Sequence, residues 1–309
     1  MIVTLAGGVG AARFLAGLVD VVAPADVTAV VNVGDDFVLH GLSISPDLDT
    51  VTYTLAGEVD PDTGWGRAGE TWQVMDELER YGGQTWFRLG DRDLALHLYR
   101  SQRRAEGASL SEVTAEVARA KGLGLRLLPV TDDRLATRVV VPGEGELAFQ
   151  DWFVGHRHGL PVEAVRFDGA EQARPAPGVL DAITTAELVV VAPSNPVVSI
   201  APVLAVPGVG EAVRERRHDV VAVSPIVGGK ALKGPAAELL DTLGAGATAV
   251  GVAEWYAAEA GTIVIDDVDA DLAPDVTAIG VRCVVADTIM RDRAAAAALA
   301  RVVLEAADR

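Results

Sequence analysis

Cysteine is almost missing from this chain, Cys283 being the only one. An intrachain disulfide and a cysteine metal cage are both excluded, and a reducing cytoplasm is the compartment such a sequence suits. Positive charge is sparse as well. Lys and Arg number 26 against 44 Asp and Glu, for a formal charge of −18 and a pI near 4.6. That balance argues against a nonspecific duplex nucleic acid partner or an anionic membrane surface. An anionic ligand has to be held by local basic spots or by metal ions. The spacing of a P-loop NTPase is absent, no nucleophilic serine elbow is present, and His40, His97, His156, His158 and His218 lack zinc-protease spacing. The first residues carry no basic stretch and their apolar run breaks at Gly7, so neither a signal peptide nor a membrane span is expected.

What is present suffices for a large core: 309 residues, 50% of them hydrophobic. Apolar runs punctuated by glycine turns and helical patterns recur along the chain, the mark of an α/β fold with a parallel sheet covered by helices. Met1–Ala6 reads as a first strand, Gly7–Gly10 as a turn, Ala11–Val22 as a helix and Val27–Val33 as a second strand. Leu188–Ala192 and Val220–Val223 read as later strands of the same sheet. Residues 60–126 change to longer helical periodicity and read as a helical insertion within a single domain, 1–309. Ser109 and Glu112 have capping-box spacing, and Asp292 stands before an alanine-rich final helix.

Lysine is the rarest base. Two of the three, Lys230 and Lys233, share the loop Ser224-Pro-Ile-Val-Gly-Gly-Lys-Ala-Leu-Lys-Gly-Pro235. Where arginine is the default, paired lysines ask for a compact ammonium aimed at a point charge such as a phosphate. The loop sits between an apolar strand and a helix-forming stretch, where backbone N–H groups face an anion. The first loop, Gly7-Gly8-Val9-Gly10-Ala11-Ala12-Arg13, opens like a dinucleotide fingerprint but carries Arg13 where the third glycine belongs. This weakens a nicotinamide reading and leaves a phosphate cradle.

Acidic pairs follow: Asp35 and Asp36 after the second strand, then Asp47 and Asp49. Carboxylates at strand ends beside a phosphate loop suit a hard cation such as magnesium. Trp65, Trp72 and Trp86 lie close in sequence to Arg88, in a chain only 5% aromatic. They suit a flat heterocycle with Arg88 on its polar edge, or simply the core of a small helical unit. Ser194 and Asn195 follow the strand ending at Ala192 and offer hydrogen bonds from a loop bounded by Pro193 and Pro196.

Taken in order, Gly7–Arg13, Asn32–Asp36, Ser45–Thr50, Leu89–Asp93, Ala192–Pro196 and Ser224–Lys230 resemble the motifs of the 2-phospho-L-lactate transferase family. The resemblance implies a Rossmann-like fold, a homodimer and a role in making the deazaflavin coenzyme F-420. It implies magnesium-dependent transfer of a phospho-three-carbon acid from a guanosine diphospho donor to the ribityl hydroxyl of Fo, with release of GMP. The sequence looks closest to actinobacterial members, whose donor carries enolpyruvate; the residues do not choose between that acid and lactate. By position, Asp49 and Arg88 match the residues contacting Fo. Asp35 and Asp49 are the expected magnesium ligands, Gly8, Gly10, Ser194, Asn195 and Lys230 the expected surroundings of the guanosine diphosphate, and Lys230 and Asp49 the catalytic pair. Asp49 serves as base only if it is not itself a metal ligand. Two rivals stand beside this reading: a nicotinamide-dependent dehydrogenase with Asp35 on the ribose, and a noncatalytic nucleotide-sugar-binding regulator of the same fold.

Overall fold

A computed structural model describes residues 1–307. The chain enters through β1 (Ile2–Ala6), turns into α1 (Gly8–Leu18) and returns through β2 (Val27–Val31). A hairpin follows, β3 (Phe37–Leu39) and β4 (Leu42–Ile44), then α2 (Pro46–Leu55), α3 (Gln73–Arg80), α4 (Asp93–Ala105) and α5 (Leu110–Ala120). After β5 (Arg126–Pro129) come β6 (Ala136–Val141), β7 (Gly145–Ala148) and β8 (Ala164–Asp168). The second half runs α6 (Val179–Thr185), β9 (Leu188–Val191), α7 (Ala201–Leu204), α8 (Val209–Glu215) and β10 (Val220–Val223). A short hairpin, β11 (Ile226–Val227) and β12 (Lys230–Ala231), precedes α9 (Ala236–Thr242) and α10 (Ala249–Trp255). β13 (Thr262–Asp266), α11 (Ala273–Ala278), β14 (Arg282–Ala286) and α12 (Arg293–Ala307) complete the described chain.

Seven strands form one sheet in the order β14-β13-β10-β9-β1-β2-β5, and every neighbouring pair is parallel. β1, β2, β9, β10 and β13 are buried at every position, because helices cover both faces and leave no reason for polar alternation. The α/β, Rossmann-like architecture read from the sequence is the one found. Its strand order reverses at β1: the chain moves outward through β2 and β5, then returns to β9 on the other side. The carboxyl ends of β1 and β9 therefore open the crevice where such sheets bind ligands.

Two boundaries differ from the sequence reading. α1 starts at Gly8 rather than Ala11, with the carboxyl of Asp47 accepting the Gly8 N–H at its first turn. It stops at Leu18, ahead of a β-branched run and Pro24, both poor helix continuations. Asp47 and Asp49, expected in a loop, occupy the first turn of α2, where the helix dipole favours carboxylates. The capping box at Ser109 forms, with the Ser109 N–H donating to Glu112 Oε2 at 2.8 Å, and Asp292 Oδ1 accepts the N–H of Ala295 at 2.8 Å.

Residues 60–126 contain α3, α4 and α5. Met75, Leu89 and Leu94 of this segment form a small core with Leu39 and Ile44 of the β3–β4 hairpin, separate from the large core around the sheet. The sequence reading passed over a second, antiparallel sheet in the order β7-β6-β8. Its central strand alternates between half-buried and buried residues, with the buried face on the main core. Among the described residues no single helix is long and apolar enough to cross a membrane.

A candidate active site at the switch point of the sheet

The site begins with Asn32, just past β2 and without solvent exposure. Its side-chain carbonyl accepts the N–H of Gly34 at 2.8 Å and so fixes the turn that carries Asp35 and Asp36. Its amide donates to Asp47 Oδ2 at 2.8 Å, to Val198 O at 3.3 Å and to Asp35 Oδ1 at 3.4 Å. One buried amide thus ties the second strand, α2 and the turn after β9. Gln150 closes the cluster from the side, with Nε2 3.4 Å from Asp35 Oδ2. Ser45 donates to Asp36 Oδ2 at 2.8 Å, while Asp36 Oδ1 is buried with no partner among the described residues.

Burial raises the pKa of all three carboxyls, and the charges of neighbouring aspartates add to the rise at Asp35 and Asp36. Burial pushes Asp35 well above the carboxylate range, and the neighbouring charges of Asp47 and Asp36 push it further. Burial moves Asp36 to about 8 against the opposing bond from Ser45. Asp47 rises to about 6 by burial, tempered by Asn32 and the Gly8 N–H. This is a set of hard oxygen donors whose ionised form lacks compensation, and a divalent cation is what would supply it.

Asp49 has a different setting. Arg100 from α4 donates to both of its carboxylate oxygens, and His97 Nδ1 stands 3.7 Å away. His97 Nε2 lies 3.1 Å from Asp93, which accepts the hydroxyl of Tyr53 at 2.5 Å. Asp49, Asp93 and His97 bring ligand-capable atoms within 4.8 Å of one another. A guanidinium already balances that group, however, so its need for a cation is smaller than that of Asp35, Asp36 and Asp47.

Of the residues expected from the sequence around a nucleotide, Ser194 and Asn195 lie just past β9, in the turn that opens the crevice. Among the described residues, Ser194 is buried with its hydroxyl unpartnered. Asn195 uses its carbonyl to cap the following wide helical turn, accepting from Val197 N at 2.9 Å, and leaves its buried amide nitrogen without a partner. Unpaired buried donors are costly and invite a ligand. Gly10 has another explanation: a methyl group there would lie 2.0 Å from the carbonyl oxygen of Pro193. Glycine at this position lets α1 meet the end of β9. The N–H of Gly8 is likewise engaged, by Asp47. Lys230 sits exposed on β12.

Asp93, linked to Asp49 through His97, also lines a cleft of about 290 Å³ whose walls include Trp65, Arg67, Glu70, Trp72 and Arg88. The guanidinium of Arg88 lies 4.7 Å from the centre of the Trp72 ring, and its Nη2 is 3.3 Å from Asp76. The three tryptophans do not share one setting, and Trp72 also packs against the small core. Trp65 and Trp72 line the cleft, whereas Trp86 joins Phe37 and Phe87 in an aromatic cluster with centroids 4.9 to 6.1 Å apart. Asn32, His97, Arg100 and Gln150 were not singled out for the site from the sequence. Asn32 was within reach, as the polar residue ending an apolar strand just before the acidic pair; the other three arrive from distant segments.

Residues 2–298 match the family of 2-phospho-L-lactate transferase CofD. The chain is 47% identical to a phosphoenolpyruvate transferase of Streptomyces griseus, over 99% of this chain and 98% of that protein. It is 43% identical to one of Mycolicibacterium smegmatis with the same coverage. A crystal structure of a Bacillus halodurans protein of the UPF0052 family superposes with a TM-score of 0.65 at 18% identity, covering 98% of this chain and 99% of that one, which speaks to fold alone. With the motifs, the switch-point crevice and near-complete coverage in agreement, the chain belongs to the CofD family of transferases.

Proposed function

We propose that this transferase moves a phosphoenolpyruvyl group from a guanosine diphospho donor to the terminal ribityl hydroxyl of Fo, releasing GMP and giving dehydro coenzyme F-420-0. The curated relatives at 43 to 47% identity carry the enolpyruvyl name, which favours that acid over lactate. The observation that carries the reading is the juxtaposition at the ends of β1, β2 and β9. Buried carboxyls that need a cation lie there beside unpartnered Ser194 and Asn195, which need an acceptor-rich ligand.

In this reading Ser194 and Asn195 donate to the guanosine diphosphate, with Gly8 and Gly10 shaping the backbone beside it. Arg88 and Trp72 hold the deazaflavin. Asp35, with Asp36 and Asp47 around it, holds magnesium, which when bound offsets charge on the phosphates. Asp49 is taken in this reading as the base rather than as a direct magnesium ligand, because Arg100 already balances its charge, while the group it forms with Asp93 and His97 keeps the ligand atoms for a cation of its own. Asp49 turns to the Fo hydroxyl and takes its proton, using the lone pairs that Arg100 leaves free. The hydroxyl oxygen forms a bond to the phosphorus bearing the three-carbon acid as the bond to the GMP oxygen breaks. Lys230 offsets charge on that oxygen, which requires its hairpin to fold inward when the donor binds. A homodimer without nucleic acid or membrane partners, in the cytoplasm, completes the proposal.

The nicotinamide rival needs Asp35 on ribose hydroxyls, yet Asp35 is 5% exposed and engaged by Asn32 and Gln150. Incubation with Fo, magnesium and each of the two guanosine diphospho donors, read by mass spectrometry, tests the proposal. Conversion with the enolpyruvyl donor and formation of GMP are expected; Fo left unchanged with both donors refutes it.

A further inference from the structure

Arg13 and Lys233 come together from opposite ends of the sequence without an acid between them. A methyl group built on Gly64 would lie 3.1 Å from Lys233 Nζ, 3.4 Å from Arg13 Nη2 and 3.1 Å from a methyl of Val9, so both cations border one backbone position. Their present partners are neutral carbonyls: Lys233 Nζ donates to Thr63 O at 2.7 Å, and Arg13 Nη1 to Met290 O at 3.3 Å. Among the described residues neither has a carboxylate within 4.0 Å. In a chain with 44 acidic residues against 26 basic ones, two facing cations left unneutralised amount to a local reversal of charge. Burial and the charge of Arg13 both disfavour the protonated form of Lys233. An anion between them would relieve that strain.

Their position decides which anion. Arg13 stands in α1, whose first turn packs beside Pro193, just ahead of Ser194 and Asn195, through Gly10. Lys233 follows the β11–β12 hairpin and reaches over to residues 60–69, one wall of the cleft that holds Trp65 and Trp72. We propose that Arg13 and Lys233 form a phosphate subsite at the junction between the nucleotide crevice and that cleft, taking the second phosphate of a nucleoside diphosphate. Arg13 supplies a planar fork and Lys233 a compact ammonium, the two complementary ways of holding phosphate oxygens. This assigns Lys233, rather than Lys230, the standing contact with the diphosphate, and it rests on the nucleotide reading above.

Binding of GDP and of GMP, measured by calorimetry in the presence of magnesium, tests the subsite. Lys233→Gln and Arg13→Gln should each weaken GDP roughly tenfold or more, the loss of a charge-assisted contact, and change GMP affinity less than threefold. Arg119→Gln, removing an exposed charge from the last turn of α5, should alter neither and controls for net charge. Lys233 is exposed, so its variant should fold; matching melting temperatures for Arg13→Gln would exclude unfolding as the cause. GDP binding equally well to wild type and both variants would overturn the subsite while leaving the nucleotide reading intact. Parallel weakening of GDP and GMP would also overturn it, by making the cations a general electrostatic attraction. Failure of wild type to bind GDP would instead overturn the nucleotide reading on which it rests.

Discussion

Arg100, reaching in from α4, donates to both carboxylate oxygens of Asp49 in the first turn of α2, and the two side chains are only 5% and 7% exposed. Removing one partner of such a pair strands the other charge away from water. Arg100→Met should therefore destabilise the fold by about 3–5 kcal/mol, read as a lower urea midpoint. The double variant Asp49→Asn, Arg100→Met should recover much of that loss, since it leaves no uncompensated charge. If the single and double variants were equally unstable, packing of the Arg100 stem, rather than charge, would be the dominant contribution.

Asp36 and Asp47 set a pH dependence in the metal-free protein. Their folded pKa values, about 8 and about 6, lie above the ordinary aspartate value of 3.8. The folded state therefore holds more protons than the unfolded chain between these limits, and stability falls as pH rises through that window. Below pH 4 the contribution is fully present; above about 8 it is gone. Magnesium should reverse the penalty by favouring the ionised carboxylates. The melting temperature in chelator should decline from pH 5 to pH 8, and magnesium should raise it more at pH 8 than at pH 5. Asp35→Asn should weaken that magnesium response. A chelated protein whose melting temperature rises across the same range would contradict the buried carboxyl cluster.

Much of this arrangement was legible in the sequence because it rests on local rules. Nearly continuous apolar runs such as Val27–Val31, interrupted only by Thr28, and Val220–Val223 read as interior strands of a covered sheet, and the glycine and acidic motifs fall at the carboxyl ends of such strands. The capping of α5 by Ser109 was readable from spacing of three residues. What the sequence could not supply were pairings across long separations. Nothing near Asp49 announces Arg100, 51 residues away, and nothing near Asp35 announces Gln150, 115 residues away. The glycines of the first loop were visible, but one of their purposes was not: Gly10 answers to the carbonyl of Pro193, which the sheet brings alongside only when β1 and β9 pair.

That close approach carries its own expectation. An alanine methyl at position 10 would lie 2.0 Å from the Pro193 oxygen, a backbone group that moves only if the ends of β1 and β9 part. Gly10→Ala should cost about 1–3 kcal/mol or more, as overpacking does, and should also weaken GDP because Ser194 shifts with Pro193. Thermal melts and GDP titration together check this. Wild-type stability in Gly10→Ala would mean that α1 and the turn after β9 are not in contact as described.

The cleft offers the clearest test of the proposed deazaflavin site. Arg88 lies over Trp72 at 4.7 Å and is half exposed, its only acidic partner being Asp76 at 3.3 Å among the described residues. An exposed ion pair of this kind contributes little to stability, so Arg88→Ala should fold with a melting temperature close to wild type. A flat heterocycle entering the cleft would stack against the aromatic wall and take the guanidinium on its polar edge, an interaction of about 0.5–2 kcal/mol for the cation and ring alone. Arg88→Ala should therefore weaken Fo binding roughly threefold to thirtyfold, and Trp72→Leu should weaken it while reducing the change in deazaflavin fluorescence on binding. Asp76→Asn, which frees Arg88 from its surface partner, should leave Fo affinity equal or slightly higher. Fluorescence titration of Fo into the three variants separates these outcomes. Unchanged affinity in both Arg88→Ala and Trp72→Leu would move the deazaflavin out of this cleft altogether.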